Sequence, residues 1–257
     1  MQKDNSSAQL RLRVFAGPNG SGKSTVVKSI REAKVDGKPI DFGIYINADD
    51  IALALKTDSF SFKAYEVETT KEAILTFAQQ SGLLSDKFTL ENLEAGFVLT
   101  GDNLKMVLPT IVDRLAQIIA RFLREVLLSK RERFSFETVF SHDSNLDIMK
   151  RASEAGYKVY LYFVSTESPE INIYRVKLRV KQNGHHVPED RIRERYKRAL
   201  GLMYEASQIA YQAFFFDNSK NDEPFTLAAH FKKSGKRKIW DKIPSTQVPK
   251  WFKTYYK

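Results

Sequence analysis

Apolar and polar positions divide the chain into short strand-like runs separated by longer stretches with helical periodicity. Five runs are apolar or alternate apolar with polar positions, over strand-like lengths: 10–16, 44–47, 133–140, 158–164 and 213–216. Four stretches follow a helical pattern, several starting at a proline or stopping at a glycine: 23–33, 145–155, 169–182 and 188–211. Strands that alternate with helices predict an α/β fold with a doubly wound, mostly parallel sheet.

Residues 58–130 interrupt this alternation with a mostly helical pattern. Apolar positions recur at three- and four-residue steps over 103–129, which predicts one long helix whose apolar stripe faces a core. No linker rich in proline, glycine or serine is present. We therefore expect a single domain over 1–257, with a helical insertion at about 56–131 and a basic C-terminal extension at about 221–257.

The positive charge of the chain is concentrated in its last third. The formal charge is +10, yet residues 1–168 carry 22 basic and 22 acidic side chains. Residues 169–199 have a net charge of +5 and residues 217–257 one of +6, with a hairpin predicted around Ser234-Gly235. Such an excess suggests phosphorylated or nucleic-acid partners, although a solvated basic face would look the same.

Composition excludes several classes of protein. The chain has no cysteine, so disulfide scaffolds, iron–sulfur centres, thiolate zinc sites and cysteine nucleophiles are ruled out. The first ten residues lack the apolar region of a signal peptide, and no window approaches the length of a membrane span. We expect a cytoplasmic protein without a membrane partner.

A phosphate-binding loop follows the first predicted strand. Residues 17–24, GPNGSGKS, fit G-x-x-x-x-G-K-[ST] between a strand and a helix, although a glycine-rich turn that binds nothing is the alternative. Lys23 would reach the β- and γ-phosphates, Ser24 would ligate Mg²⁺ and Thr25 would bind the α-phosphate. The predicted contacts to ATP or GTP are Gly17, Pro18, Asn19, Gly20, Ser21, Gly22, Lys23, Ser24 and Thr25. The signatures of a GTPase base site and of a transporter ATPase are absent.

Carboxylates follow two of the predicted strands. Asp49 and Asp50 come after the run 44–47, and Glu137 lies within the run 133–140. In open α/β sheets ligands bind at the carboxyl ends of strands, so these acids are candidates for the phosphoryl-transfer site. Asp49 would accept the proton of the acceptor hydroxyl. Helix N-capping is the structural alternative for Asp49 and, more strongly, for Asp50.

Arginines cluster on the two helices predicted after residue 168. Arg175 and Arg179 share one helix face, and Arg191, Arg195 and Arg198 share a face of the next helix. Phosphoryl transfer needs guanidinium groups to offset charge on the moving phosphoryl, so an arginine-rich helical lid is expected here. A charged exposed face is the alternative. Gly184 should break the first helix, and His185-His186 at the turn suggest a turn or substrate contact rather than a metal site.

The sequence resembles zeta-toxin-type P-loop kinases, which are similar to UDP-N-acetylglucosamine kinases. Six segments match in order over most of the chain: 15–25 (FAGPNGSGKST), 46–52 (INADDIA), 136–141 (FETVFS), 154–170, 174–200 and 215–219 (FFDNS). The resemblance implies ATP- or GTP-driven phosphorylation of a small hydroxyl, with the 3′-hydroxyl of UDP-N-acetylglucosamine as the lead acceptor.

The resemblance also implies roles for individual residues. Asp49 matches the base, Lys23 the loop lysine and Glu137, with its neighbour Thr138, an acceptor-contacting pair; Val139 stands where related sequences usually carry a threonine. Arg175, Arg179, Arg195 and Arg198 match phosphate-stabilising or substrate-binding groups without a one-to-one assignment, and Asn218 lies where the chain passes the nucleotide base. An antitoxin protein is among the implied partners.

Two other functions stay open from the sequence. A kinase acting on nucleic acid would use the basic C-terminal segment, the only part of the chain with unassigned positive charge. A non-catalytic nucleotide-binding switch would keep the loop without the transfer reaction.

Overall fold

The computed structural model describes residues 9–182 and 186–257, which fall into two compact units. The first unit runs to Gly43 and resumes at Glu137, and the second is Ile44–Phe136. The prediction of a single domain with an insertion at about 56–131 stays a prediction. The predicted break at Gly184 and the turn at His185 lie outside the described residues.

Twelve strands are formed within the described residues: β1 Arg11–Ala16, β2 Lys34–Val35, β3 Lys38–Pro39, β4 Ile44–Ile46, β5 Phe60–Ser61, β6 Phe97–Thr100, β7 Asn103–Met106, β8 Phe134–Thr138, β9 Lys158–Ser165, β10 Gln212–Asp217, β11 Thr226–Ser234 and β12 Arg237–Trp240. Nine α-helices accompany them in the same part of the chain: α1 Lys23–Glu32, α2 Ala48–Thr57, α3 Lys71–Gln80, α4 Leu90–Ala95, α5 Val112–Ser129, α6 Ser144–Glu154, α7 Pro169–Lys181, α8 Glu189–Ile209 and α9 Lys250–Tyr255.

The first unit is built on a sheet whose centre is parallel. Strand β9 pairs in parallel with β1 on one side and with β10 on the other. Its residues are almost entirely buried, as expected of a strand covered on both faces. Because β9 and β10 end in register at Ser165 and Asp217, their carboxyl ends meet beside the loop that follows β1. The predicted α/β fold with a mostly parallel sheet is confirmed.

The basic C-terminal segment is part of the same unit. Strand β11 pairs antiparallel with β10, and β12 pairs antiparallel with β11 across a turn at Gly235, so the predicted hairpin is confirmed. Helix α9 buries Trp251 and Phe252 against the first unit. Residues predicted as an extension therefore supply two strands and a core helix.

Helices α7 and α8 carry the arginines of the predicted lid. They pack together through Ile173, Val176, Val187 and Ile192, with Val180 at the margin. The opposite faces of both helices carry exposed charged residues, and α7 also exposes Tyr174 and Leu178. Because each helix buries only one face, apolar residues and arginines alternate at helical spacing in the sequence.

The second unit is less helical than its sequence pattern predicts. Strands β5, β7 and β6 form a small antiparallel sheet, and β4 pairs in parallel with β8. The predicted helix over 103–129 was wrong in its first part, because residues 103–106 form β7 and α5 begins at Val112. Pro109 explains the difference, since proline is tolerated in the first turn of a helix and not in its interior.

No helix in the described ranges is long and apolar enough to cross a bilayer.

Candidate active site

The predicted phosphate-binding loop connects β1 to α1 and is shaped by glycines at positions where a side chain would clash. Gly20 has a φ of +77°, and a Cβ there would lie 2.6 Å from the backbone oxygen of Asn172 in α7. Gly22 has a φ of +90°, and its Cβ would lie 2.1 Å from Nδ2 of Asn218. Left-handed backbone and close neighbours both require glycine at these positions. The loop is therefore held against α7 and against the segment after β10.

Lys23 and Ser24 begin α1 with their polar atoms on the loop side. Lys23 Nζ donates hydrogen bonds to the carbonyl oxygens of Gly17 at 2.9 Å and Pro18 at 3.2 Å, so the ammonium group lies over the loop. Ser24 Oγ donates to Glu137 Oε2 at 3.4 Å. A positive helix N-terminus, a lysine and a hydroxyl–carboxylate pair thus converge on one point of the first unit.

The oxygen pair of Ser24 and Glu137 fits Mg²⁺, which prefers hard oxygen ligands. Within the described ranges no group of three His, Cys, Asp or Glu side chains is placed to hold a metal ion. A protein site of one or two oxygen ligands is nevertheless what Mg²⁺ uses when nucleotide phosphates complete its shell. The donor set therefore fits Mg²⁺ that is bound together with phosphate groups.

Polar atoms are buried beneath the loop. Ser21 Oγ and Asn172 Nδ2 have no hydrogen-bond partner in the part of the chain that the structure describes, and both residues are fully buried. Asn172 Oδ1 accepts a hydrogen bond of 2.5 Å from Thr166 Oγ1, which fixes the amide under Gly20. Buried polar atoms without a partner are costly, so their presence at the loop is consistent with a polar ligand or water.

Asn218 joins the end of β10 to the loop. Its Nδ2 donates to the carbonyl oxygen of Ser21 at 2.8 Å, and its backbone N–H donates to the carbonyl oxygen of Ser165 at 2.9 Å. Asn218 therefore supports the loop from the side on which the sequence predicted the nucleotide base.

Arg175 is engaged with the segment after β10. Its guanidinium donates to the backbone oxygens of Asn218 at 2.7 Å and Lys220 at 2.8 Å, and to Asn221 Oδ1 at 3.0 and 3.1 Å. Partial burial lowers the pKa of Arg175 from its usual range, against the opposing effect of Asp217. In this structure Arg175 fixes a loop; its predicted role in transfer stays a prediction.

A cavity of about 520 Å³ opens next to the start of α1. Apolar walls come from Tyr174 and Leu178, which are 53% and 40% exposed although they are large hydrophobic residues. The full lining is Thr25, Tyr174, Arg175, Leu178, Asn218, Lys220, Asn221, Asp222, Glu223, Pro224 and Phe225. The volume, the apolar walls and the few polar groups are typical of a small-ligand site.

Arg195, on a helix of the predicted lid, contacts the phosphate loop. Its Nη1 donates to Asn19 Oδ1 at 3.2 Å from the first half of α8. Arg198 instead pairs with Glu194 at 2.7 Å on the exposed side of the helix, and Arg179 is exposed on α7. The structure thus separates arginines that the sequence could not rank, and their roles in phosphoryl transfer stay predictions.

Thr138 lies at the end of β8 in a turn. Its Oγ1 donates to Asn145 Oδ1 and accepts from the backbone N–H of Phe140, each at 3.1 Å. Phe140 has a φ of +59°, so the threonine stabilises a strained turn. The hydroxyl predicted to bind the acceptor already serves this turn.

Asp49 lies in the second unit, exposed in the first turn of α2. The N-cap of this helix is Asn47, whose Oδ1 accepts a hydrogen bond of 2.9 Å from the backbone N–H of Asp49. N-capping by Asp49 or Asp50 was therefore the wrong structural explanation. Asp49 keeps an exposed carboxylate at a position that does not need it for the cap.

Sequence reasoning missed Asn172, Asn221 and Tyr174. Asn172 and Tyr174 lie inside a matched segment, but nothing in the local pattern distinguishes a loop-supporting amide from an ordinary helix residue. Asn221 follows the matched FFDNS segment by two residues, and its polar neighbours were the one available signal.

Comparison with known proteins gives one relative and several similar folds. No protein-family model matches the chain. A Haemophilus influenzae protein, described as uncharacterised, is 33% identical over 103 residues, which are 38% of this chain and 74% of that protein.

Solved structures agree in fold. A chain of the AvrRxo1-ORF1:AvrRxo1-ORF2 complex with sulphate ions aligns with a TM-score of 0.54 at 12% identity, over 98% of this chain and 65% of that one. The same complex with ATP gives 0.50 at 15% identity, over 93% and 62%. A chain of the PezAT toxin–antitoxin system of Streptococcus pneumoniae gives 0.44 at 16% identity, over 84% and 72%. The fold expected from the resemblance to P-loop kinases is shared with the AvrRxo1 chains, although this chain spans less than two thirds of their length.

Proposed function

We propose that this protein is an ATP- or GTP-dependent kinase acting on a small-molecule hydroxyl. The chain belongs to the same family as the Haemophilus influenzae protein. One observation carries this proposal: Lys23, Ser24 and Glu137 converge at a complete phosphate loop. The cavity at Thr25, of about 520 Å³, lies within the size range of small-ligand sites. The AvrRxo1 complex crystallised with ATP supports the choice of nucleotide.

The first unit supplies the charges that phosphoryl transfer needs. Lys23 moves from the carbonyl oxygens of Gly17 and Pro18 to the β- and γ-phosphates, exchanging neutral acceptors for anionic ones. Arg195 approaches over Asn19 and offsets charge on the γ-phosphoryl. Tyr174 and Leu178 cover the base, while Arg175 keeps the 218–221 loop in place. Ser24, with Glu137 nearby, would hold Mg²⁺, which would supply neutralisation of the phosphate charge.

Asp49 is our candidate for the general base, on the strength of the family resemblance and its exposed carboxylate. A carboxylate that accepts the hydroxyl proton makes the acceptor oxygen a better nucleophile. We propose UDP-N-acetylglucosamine as the acceptor, which rests on the resemblance alone. An antitoxin partner and cytoplasmic action belong to the same proposal.

The test compares two adjacent acids on one helix turn. The protein is incubated with labelled ATP, Mg²⁺ and UDP-N-acetylglucosamine, and the product is identified by mass spectrometry. Asp49→Asn should lower the transfer rate by about 10²- to 10⁴-fold with unchanged ATP affinity, while the matched Asp50→Asn should retain the rate. Full transfer by Asp49→Asn would exclude it as the base.

A cell metabolite extract separates the acceptor from the activity. If another metabolite is labelled and the sugar nucleotide is not, the kinase proposal stands and the acceptor is wrong. If no molecule in the extract is labelled although ATP binds, a non-catalytic switch is favoured. Labelling of RNA or DNA ends in a salt-sensitive manner would favour the nucleic-acid alternative.

A further inference from the structure

A closed ring of hydrogen bonds joins helix α9 to Glu167, which follows β9, and to Asp217 and Ser219 at the end of β10. Trp251 Nε1 donates to Asp217 Oδ1 at 2.8 Å, and Ser219 Oγ donates to the same oxygen at 2.6 Å. The backbone N–H of Glu167 donates to Ser219 Oγ at 2.8 Å. The Glu167 carboxylate accepts from the backbone N–H groups of Lys250 at 2.8 Å and Trp251 at 3.2 Å, which closes the ring.

Asn218 lies between two members of this ring in the sequence. Asp217 and Ser219 flank it in sequence, so fixing both neighbours fixes the backbone from which its amide reaches the loop. That amide donates to Ser21 at 2.8 Å and lies against Gly22. A chain of direct contacts therefore runs from α9 to the phosphate loop.

Packing alone does not account for the chemistry of Trp251. The side chain is 2% exposed, and its ring lies 6.3 Å from Phe163 and 5.8 Å from Phe252, so the core would accept another aromatic ring. The indole N–H, however, is directed at a carboxylate beside the nucleotide-site residue. Hydrogen bonds to a charged acceptor are the stronger and more directional kind.

We propose that Trp251 and Glu167 are positioning residues for nucleotide binding, acting through Asp217 and Ser219 on Asn218. The inference rests on the proposed function only in taking the loop ligand to be a nucleotide. The proposal gives helix α9 a role in the nucleotide site, although α9 lies more than 200 residues after the phosphate loop in the sequence. Arg175 and Ser165 still hold the backbone of Asn218 when the ring is opened, so we expect loss of the ring to misalign the Asn218 amide and to weaken nucleotide binding before any effect on phosphoryl transfer.

The experiment uses the only two tryptophans of the chain. Trp251→Phe keeps an aromatic ring and removes the N–H donor. Trp240→Phe is the matched control, because Trp240 lies on β12, is 40% exposed and has ring contacts only to Phe231 and Tyr256 among the described residues. Dissociation constants for a fluorescent ATP analogue and for the GTP equivalent are measured with unfolding midpoints for each variant.

Trp251→Phe should weaken nucleotide binding about tenfold, as expected for one lost hydrogen bond to a charged group, while Trp240→Phe stays within about twofold. Ser219→Ala opens the ring elsewhere and should weaken binding similarly. The double variant with Trp251→Phe should lose much less than the product of the two single effects.

A structural role would give a different pattern. If Trp251→Phe and Ser219→Ala lower the unfolding midpoint but bind nucleotide as tightly as the wild type, the positioning role is refuted and the kinase proposal stands. Wild-type protein that binds neither nucleotide would refute the nucleotide site, and this inference with it. In the Trp240→Phe background, emission from Trp251 should change on nucleotide addition; an unchanged spectrum would count against the coupling.

Discussion

Replacing Gly22 with alanine tests whether the Asn218 amide is what limits space at the phosphate loop. The new Cβ would lie 2.1 Å from Asn218 Nδ2, and the backbone would keep a φ of +90°. Left-handed strain costs about 1–2 kcal/mol for a residue with a Cβ. Displacing the amide also loses its 2.8 Å hydrogen bond to Ser21, about 1 kcal/mol. We expect Gly22→Ala to lower the free energy of unfolding by about 2–3 kcal/mol.

The two contributions separate in a double-mutant cycle. In an Asn218→Ala background the steric conflict is absent, so Gly22→Ala should cost only the strain, about 1–2 kcal/mol. The coupling of about 1 kcal/mol exceeds the scatter of about 0.3–0.5 kcal/mol expected of independent sites. Urea unfolding of the four proteins gives the cycle, and nucleotide titrations of the same samples follow the site. Equal costs of Gly22→Ala in both backgrounds would refute the reasoning.

Three further predictions concern stability. Gly201→Ala should raise the free energy of unfolding by about 0.5–1 kcal/mol in urea titrations, because Gly201 is exposed inside α8 and a Cβ there meets nothing within 4 Å; a loss would contradict this. Asn47→Ala should lower the melting temperature by removing the cap of α2, a loss of about 1 kcal/mol, whereas an unchanged melting temperature would show that the cap contributes nothing. Burial, with the nearby charge of Lys233, lowers the pKa of Lys238 from 10.5 to about 8, so the unfolded state binds more protons between these values. The free energy of unfolding should therefore rise from pH 8 to pH 10 more steeply in the wild type than in Lys238→Met, and equal slopes would exclude this cause.

The phosphate loop could be predicted in full because its determinants are consecutive in sequence. A strand, a glycine-rich turn and a helix beginning at Lys23 are local features, and all three are found where the pattern predicts them. The same holds for β9, whose continuous apolar run reflects burial on both faces.

The ranking of the arginines could not be predicted, because it depends on tertiary contacts. Arg175 and Arg195 were both predicted from helical spacing alone. In the structure Arg175 binds the 218–221 loop, whereas Arg195 donates a hydrogen bond to Asn19. Helical periodicity shows which residues share a face and not what that face meets. The supporting amide of Asn172 was missed for the same reason.

The second unit shows a different limit. Over 103–106 a short strand and the start of a helix have similar apolar content, and only Pro109 marked the boundary between them.

The C-terminal segment was misjudged from its charge. Charge counting over 217–257 suggested a separate basic tail, whereas these residues supply strands β11 and β12 of the sheet. Lysines and arginine on β11 and β12 also suit a sheet edge, where charge discourages pairing with another chain.

The placement of Asn218 against Ser21 has a consequence for how the protein folds. The two residues are 197 positions apart, and the Arg195–Asn19 hydrogen bond joins residues 176 apart. Contacts between residues so far apart in sequence require the intervening chain to lose conformational entropy before they contribute any stability, and this slows folding. During synthesis the glycine-rich turn is made early and must wait for β10 before its side support exists. We therefore expect the phosphate loop to reach its final conformation only after β10 and Asn218 have been synthesised.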